Sequence, residues 1–316
     1  MKKETTIFYV TDIHGSNICF RKFLNAGKAY GADMLVLGED IGGKSIIPVF
    51  ESNSGYSYFD GSRSVNLNGG QELEKLRKEI SDRGSYPYVT TEGDWKELTV
   101  SPERMSALFN RLMIERLEEW IALMRERESE RPIIANIGND DPQELLDTLR
   151  SHEHGNLYVP EERVVEIGGY LFAGLSYVNM TPWKLPGDLP EEELRKKVMP
   201  LMERINDFDH AILNFHAPPF GTSLDIAAKL DENLRPVTVS GNVLTEHVGS
   251  TSIREAIDRY QPLMGLHGHI HESKGAEQIG RTWVFNPGSI YYSGTLQGLL
   301  VKLSGNRVRS YFFTNG

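Results

Sequence analysis

The sequence has little of several features that mark particular classes of protein. Its 316 residues include a single cysteine, Cys19, which excludes an internal disulfide framework and a metal cluster held by several thiolates. No apolar run approaches the roughly 18 residues of a membrane span, and we expect no signal peptide from the first residues. Positive charge is scarce as well, since 34 Lys and Arg stand against 44 Asp and Glu, a net charge of −10. We therefore expect a cytoplasmic protein without a membrane anchor, for which nucleic acid is a disfavoured partner.

The rest of the composition is that of an ordinary globular protein. Hydrophobic residues make up 39% and charged residues 25% of the chain, with 13 Phe and 13 Tyr, so a full core can be buried. The length fits one domain with an insertion as well as two domains. Because the pattern changes between residues 45 and 131, we expect one domain over residues 1–316 with a cap inserted at residues 45–131.

Short apolar runs predict five buried strands, and each run is followed by polar side chains. A segment with helical spacing at residues 16–30 makes the first two runs a β-α-β unit. In open α/β sheets, functional groups collect beyond the carboxyl ends of the strands, so the polar side chains are expected to meet. The runs are residues 7–10, 34–37, 133–135, 211–213 and 263–266, followed by Asp12 and His14, by Asp40, by Asn139, by His216, and by His269 and His271.

The insertion is predicted to be largely helical. Residues 52–70 are rich in Gly, Ser and Asn and are interpreted as a loop, and a helix is expected at residues 71–81. A second helix begins at Ser101, an N-cap followed by Pro102. Its apolar face is expected to pack on the main body, with a partner-binding face as the alternative. Five aromatic side chains could roof a site or merely build the cap: Tyr56, Tyr58, Phe59, Tyr86 and Tyr88.

The second half of the chain mixes helices with hairpins. A helix is expected from Pro142, a hairpin about Gly168 and Gly169, a helix at residues 190–205, and three further strands within residues 282–313. Residues 249–252 open another helix, whose amide groups serve either an ordinary N-cap or an anion. The whole pattern predicts a mixed α/β fold with sheets flanked by helices.

The polar residues after the strands indicate a metal site when they are taken together. Any one of them could be a helix cap or a satisfied core histidine. Seven of them at one sheet edge would be costly to desolvate unless cations paired them. Oxygen and imidazole donors without thiolate suit Mn²⁺, Fe, Zn²⁺, Co²⁺ or Ni²⁺.

The order of the motifs resembles the calcineurin-like metallophosphoesterase family across residues 12–289. That resemblance implies a two-sheet mixed β-sandwich flanked by helices, in four αββα layers, and a dinuclear metal site. The matching motifs are Asp12-Ile13-His14, Gly38-Glu39-Asp40, Gly138-Asn139-Asp140-Asp141, Asn214-Phe215-His216, Gly268-His269-Ile270-His271 and Asn286-Pro287-Gly288-Ser289.

The resemblance also implies ligands and a reaction. Two divalent metals, with Mn²⁺ favoured, would share Asp40, and a water or hydroxide bridging them would attack a phosphoester. The favoured substrate is a small phosphodiester, including nucleotide-like ones. A nucleotide pyrophosphatase or phosphomonoesterase is the alternative, a non-enzymatic scaffold is disfavoured, and the oligomeric state is open. The first metal would be held by Asp12, His14, Asp40 and His271, and the second by Asp40, Asn139, His216 and His269, with Asn139, Asp140 and His216 at the catalytic centre.

One motif departs from the family pattern. Many members have a histidine that protonates the leaving group where this chain has Asp140. Either Asp140 has a pKa raised enough to donate a proton, or the site has no dedicated acid, which we favour. Asp141 is expected to orient a ligand from behind. The remaining histidines are interpreted as surface or structural groups, and His267 is not counted as a ligand; the others are His152, His154, His210 and His247.

Overall fold

The computed structural model describes residues 4–53 and 55–316, which contain seven α-helices and 22 β-strands. The helices are α1 (Asn17–Ala29), α2 (Gly70–Asp82), α3 (Glu92–Thr99), α4 (Pro102–Arg127), α5 (Gln143–Ser151), α6 (Glu191–Met202) and α7 (Thr251–Tyr260). The strands of the first half are β1 (Glu4–Val10), β2 (Met34–Leu37), β3 (Ser45–Ser52), β4 (Gly55–Phe59), β5 (Ser64–Leu67), β6 (Ser85–Thr90), β7 (Ile133–Ala135) and β8 (Leu157–Tyr158). Those of the second half are β9 (Val164–Ile167), β10 (Tyr170–Leu175), β11 (Val178–Asn179), β12 (Asp188–Leu189), β13 (Ala211–Phe215), β14 (Ile226–Ala228), β15 (Thr238–Val239), β16 (Asn242–Val243), β17 (Thr245–His247), β18 (Met264–Leu266), β19 (Gly275–Ile279), β20 (Thr282–Asn286), β21 (Gln297–Ser304) and β22 (Val308–Asn315).

Two six-stranded mixed sheets form the body of the fold. The first has the order β22-β21-β1-β2-β7-β8 and the second the order β19-β20-β18-β13-β10-β9. Strands β1, β2, β7 and β8 are mutually parallel, as are β10, β13, β18 and β20. All five strands predicted before the polar motifs lie in these parallel stretches, which confirms the mixed α/β expectation and brings the motif-bearing carboxyl ends to common edges.

Three apolar clusters hold these elements together. One contains side chains of both sheets, such as Tyr9 of β1 and Phe172 of β10, each fully buried. A second joins α1, α4 and α5 to the first sheet, and a third joins α6 and α7 to the second sheet. The removal of this apolar surface from water is the main favourable contribution to folding.

The local sequence explains the elements that were predicted. Ser16 caps α1 by accepting a hydrogen bond from the Cys19 amide, and Phe20 and Phe23 are fully buried on one face of that helix. Strands β1 and β2, which precede and follow α1 in the chain, pair in parallel, so the β-α-β unit is confirmed. The hairpin between β9 and β10 turns at Gly168 and Gly169, whose φ angles of 60° and 86° suit a two-residue turn.

The prediction of a loop over residues 52–70 is wrong, because the insertion contains a sheet as well as the helices α2, α3 and α4, which account for just over half of residues 45–131. Residues 45–90 contain a four-stranded sheet of order β5-β4-β3-β6. Its buried side, which includes Val49 and Leu67, packs on Leu73, Leu76 and Ile80 of α2. The many small polar residues occupy turns and the exposed side of these strands, so composition masked a two-residue alternation that is typical of half-buried strands.

Helix α4 begins as the sequence predicts, because Ser101 accepts a hydrogen bond from the Arg104 amide and Pro102 follows. Its second half belongs to the apolar cluster that covers the first sheet, where Trp120 is 2% exposed and stacks on Phe20 of α1 with ring centroids 4.3 Å apart. This contact favours the core interpretation of its apolar face. The extent of the cap over residues 45–131 stays a prediction. No helix in the described residues is long and apolar enough to cross a membrane.

Candidate metal centre

Three predicted ligands from distant parts of the chain meet at the end of β1. The His271 Nε2 atom lies 3.2 Å from the Asp12 Oδ1 atom, and the His14 Nε2 atom lies 3.9 Å from the same oxygen. The two imidazole nitrogens of His14 and His271 are only 3.1 Å apart. This group joins the first sheet to the loop after β18 of the second sheet.

Asp40 lies between this group and a second one. Its Oδ2 atom is 3.8 Å from the His14 Nε2 atom and 3.4 Å from the His216 Nε2 atom. The His216 ring lies edge-on to that of His269, with centroids 5.1 Å apart. One carboxylate therefore faces ligand-type nitrogens on both of its sides.

The backbone at the strand ends bends sharply to bring these side chains together. Asp12, His14, Asp40 and His269 all have positive φ angles, of 54°, 39°, 52° and 67°. Such angles are uncommon outside glycine and cluster at functional sites, where the surrounding fold compensates for the strain. The packing is tight as well, since a Cβ atom on Gly138 would lie 2.0 Å from the Asp40 Oδ1 atom.

Asn139 is oriented by a residue that the sequence analysis missed. The Asn139 amide nitrogen donates a 2.8 Å hydrogen bond to the Asp188 carboxylate, and Asp188 is 7% exposed. The buried Asn139 Oδ1 atom then has no hydrogen-bond partner among the described residues. Asp188 precedes α6 and follows no apolar run, so the strand-end pattern could not identify it.

Asp141 clamps the two loops that carry Asp40 and Asn139, which agrees with a supporting role. Its carboxylate accepts hydrogen bonds from the backbone N–H groups of Ile41, Gly42 and Gly138 at 2.8 to 2.9 Å. Burial and the nearby Asp40 carboxylate together raise the pKa of Asp141 to about 7, although the three backbone donors act to lower it.

The pKa values of the four site imidazoles move in opposite directions. Burial lowers the pKa of His14 to about 3 and that of His269 to about 4. Burial also opposes charge on His216, but the carboxylates of Asp40, Asp12 and Glu39 together outweigh it and raise the pKa to about 10. The pKa of His271 is raised by its hydrogen bond to Asp12 in the same way.

The donor set fits divalent cations. Two ring nitrogens at 3.1 Å and an unpartnered buried amide oxygen are arrangements that a shared cation would satisfy. Asp140, which was predicted at the catalytic centre but not as a metal ligand, also lies close to these donors. Three sets of donor atoms lie within 4.8 Å of one another: Asp12, His14 and His271; Asp12, Asp40 and His216; and His14, Asp40 and Asp140.

A cavity of about 680 Å³ opens onto these residues. Asp40, Asn139 and His269 are among its polar lining residues, and Met180 and Trp183 are among its apolar ones. The aromatic residues of the insertion do not line the described cavity. Tyr86 is 2% exposed and accepts a hydrogen bond from the Gly43 amide, so the structural interpretation of these aromatics is the better one.

Lys44 and Tyr291 are further neighbours that the sequence analysis missed. The Lys44 Nζ atom lies 3.2 Å from the Asp140 Oδ2 atom, and Lys44 lines the cavity. The Tyr291 ring lies against that of His14, with centroids 4.7 Å apart. Lys44 follows a Gly-Gly pair and Tyr291 follows the Asn-Pro-Gly-Ser motif, and neither position carries a sequence signal of its own.

The helix that begins after Gly249 already has an anion at its amino end. The Glu191 carboxylate accepts hydrogen bonds from the Thr251 and Ser252 amides at 2.7 and 3.1 Å, and Ser250 is the N-cap. The N-cap interpretation is therefore the better one, and an external anion would have to displace a carboxylate of the chain itself.

The remaining histidines have structural partners. The buried His267 ring contacts the Phe215 carbonyl oxygen through Nδ1 at 2.7 Å and belongs to none of the three donor sets. The others contact side chains away from the site: His152 and His154 contact Arg125, His210 contacts Asp207, and His247 contacts Asp225.

Comparison with known proteins finds a relative in sequence and similar solved structures. No protein-family model matches the chain. The protein MJ1162 of Methanocaldococcus jannaschii is 31% identical over 171 residues, which are 54% of this chain and 69% of that protein. One solved crystal structure is similar with a TM-score of 0.59 at 15% identity, over 99% of both chains. The structure of TT1561 of Thermus thermophilus is similar with a TM-score of 0.51 at 18% identity, also over 99% of both chains. At these identities the two structures support the fold alone.

Proposed function

We propose that this chain, which belongs to the calcineurin-like metallophosphoesterase family, uses two divalent cations to hydrolyse small phosphodiesters. The position of the Asp40 carboxylate carries the proposal, because one oxygen lies 3.8 Å from His14 and 3.4 Å from His216. A carboxylate with imidazoles on both sides is suited to bridge two metals. The three apolar clusters likewise support the four-layer αββα arrangement that the family resemblance implies.

The proposed ligand sets are those that the motifs imply. Asp12, His14, Asp40 and His271 would hold one cation, and Asp40, Asn139, His216 and His269 the other. When bound, two dications supply Lewis-acid charge that favours hydroxide over water and offsets the charge of a phosphoryl group. Two carboxylates among these ligands leave the site with about two positive charges, which an acidic chain needs in order to attract a phosphate.

The residues of the chain orient the site and supply specificity. Asp188 holds the amide nitrogen of Asn139, so that the neutral amide oxygen faces the site without cancelling positive charge. Met180 and Trp183 give the cavity an apolar lining that suits an organic ester group. Asp140 replaces the histidine acid of many relatives, which favours substrates with good leaving groups, such as aryl or nucleotide-like esters.

Hydrolysis of a bis-aryl phosphodiester by the purified protein tests this proposal. Activity is expected with added Mn²⁺, the metal we favour, and is expected to disappear with a chelator and in Asp40→Asn. Wild-type activity in Asp40→Asn at matched metal would reveal a contaminant or a wrong assignment. A nucleotide pyrophosphate and an aryl monoester in the same panel test the alternatives, because a preference for either would replace the diester assignment. Inactivity on every ester with metals bound would favour a scaffold.

A further inference from the structure

The loop that follows Asp40 places Lys44 beside the metal centre, where its side chain is 44% exposed. The Gly42 amide donates to the Asp141 carboxylate at 2.8 Å, and the Gly43 amide donates to the Tyr86 hydroxyl at 2.8 Å. A Cβ atom at Gly43 would lie 2.2 Å from the Gly84 carbonyl oxygen. The two glycines thus allow the loop to pack closely on both sides, and the packing fixes where the Lys44 side chain starts.

The Lys44 ammonium faces the carboxylate at the position where the family pattern has histidine. Its Nζ atom is 3.2 Å from the Asp140 Oδ2 atom, and the Asp140 amide donates a 3.2 Å hydrogen bond to Asp40. Burial lowers the pKa of Lys44, but the carboxylates of Asp40 and Asp140 raise it by more, so the side chain stays cationic. The pair lies next to His14, since ligand atoms of His14, Asp40 and Asp140 lie within 4.8 Å of one another.

The positive charge of Lys44 is opposite to the charge of the carboxylates that line the cavity. Among the described residues that line the cavity Lys44 is the single lysine or arginine, whereas Glu246 and Glu272 line it in addition to the carboxylates of the site. Without this ammonium, Asp140 would place an unpaired negative charge where a phosphate must approach. The ion pair removes that repulsion and leaves further donor N–H bonds on the ammonium for a ligand.

We propose that Lys44 is a catalytic residue that donates a hydrogen bond to a phosphoryl oxygen of the substrate, with Asp140 as the positioning residue that holds it. The pair thereby replaces the imidazole expected at position 140. No proton transfer is required, because a fixed ammonium stabilises charge that develops on oxygen in the transition state. This inference rests on the proposed phosphoesterase function.

Binding of inorganic phosphate to the metal-loaded protein tests the contact separately from turnover. Calorimetry is expected to give at least a tenfold weaker affinity for Lys44→Met, with unchanged metal content by elemental analysis. Lys44→Arg keeps the charge and is expected to stay within a few fold of wild type. The matched control is Lys196→Met, because Lys196 is an exposed lysine paired with Glu193 at 2.6 Å on α6 and should have no effect.

Turnover of an aryl diester tests the two roles. Removal of one such donor typically lowers kcat by roughly 10²-fold, which we expect for Lys44→Met. Asp140→Asn is expected to lower kcat about tenfold in the wild-type background, where it acts through Lys44. In the Lys44→Met background it is expected to cause no further loss and to restore part of the activity, because it removes the unpaired negative charge.

Each result decides a different claim. Phosphate affinity and kcat both unchanged in Lys44→Met, in an active wild type, would overturn the contact. Equal effects of Asp140→Asn in both backgrounds, or a loss of metal in that variant, would overturn its positioning role and indicate an additional ligand. A wild type that binds phosphate through Lys44 but cleaves no ester would refute the proposed function and keep the contact, and one that does neither would refute both.

Discussion

Asp188→Asn tests whether the residue behind Asn139 sets the affinity of the metal site. Asp188 accepts hydrogen bonds from the Asn139 amide nitrogen at 2.8 Å, from the Thr181 amide and hydroxyl, and from the Leu185 amide at 3.0 Å. An amide in its place offers one acceptor oxygen and an NH₂ group that faces other donors. The Asn139 side chain would then lose the partner that fixes which of its atoms faces the metals.

The expected magnitudes follow from these contacts. Loss of an orienting carboxylate behind a metal ligand costs about 10–100-fold in metal affinity, or roughly 1.4–2.7 kcal/mol. A donor left unpaired in this buried site costs about 1–3 kcal/mol of folding free energy in addition. Asp188→Asn should therefore lower both quantities, and the two must be separated.

Competition with a fluorescent chelator measures the affinity, and urea unfolding measures the stability. Asp225→Asn is the matched control, because the buried Asp225 carboxylate likewise accepts several hydrogen bonds, three of them from the backbone N–H groups of Gly221, Thr222 and Gly249. The control is expected to lose stability and to keep its metal affinity. Equal metal affinities for Asp188→Asn and wild type would refute the orienting role, and equal losses in both variants would show only a general effect of stability.

Three further outcomes are expected. Asp40→Asn should lower the bound metal from about two equivalents towards none, and two full equivalents by elemental analysis would refute the bridging assignment. Trp120→Ala should cost about 3–5 kcal/mol in urea unfolding, because it removes the ring buried against Phe20, and a cost below about 1 kcal/mol would contradict this. Burial raises the pKa of Glu161 to about 7 from 4.5, against its hydrogen bonds from Ser176, so the stability that it contributes is complete below pH 4.5 and is lost as pH rises through 7. Glu161→Gln should remove this loss of roughly 3 kcal/mol between pH 5 and 8. The same change of unfolding free energy with pH in the wild type and in the variant would count against this prediction.

The body of the fold was predictable because its strands are buried on both faces. Short apolar runs ending at Val10 and Leu37 have no competing interpretation at that length, and the amphipathic segment between them gives the parallel connection. The two-glycine hairpin turn was equally clear, because Gly168 and Gly169 both require the positive φ angles that they adopt. Local chemistry and the tertiary fold agree at these places.

The strands within residues 52–70 were mispredicted as a loop because they bury only one face. Tyr56 and Tyr58 alternate with Gly and Ser residues, and the small polar residues dominate any average over the segment. The cluster that stabilises this sheet comes from α2, which follows it in sequence. Composition therefore indicated a loop, and only the partner helix distinguishes the two possibilities.

The site residues also divide into those that the sequence could predict and those that it could not. Those that follow strands were predictable because the sheet itself collects strand ends, whereas Lys44 and Asp188 reach the centre from loops. Loop positions depend on backbone hydrogen bonds, such as those to Asp141, which no spacing rule describes. Asp140 could be identified as a departure from the family pattern, but its partner could not.

Cations and protons compete for the same atoms at this centre. Burial alone would leave all four imidazoles neutral, yet Asp40 and the other nearby carboxylates raise the pKa of His216 to about 10, while the pKa of His14 falls to about 3. The Asp40 carboxylate therefore favours the protonated, positively charged form of the neighbouring His216 ring when no cation is bound. A metal ligand must be the neutral imidazole, so cation binding at His216 has to release that proton and is opposed by it as pH falls. Lys44 differs in this respect, because it is a cation outside the proposed ligand sets, and its charge is paired with Asp140 and is favoured by the Asp40 carboxylate.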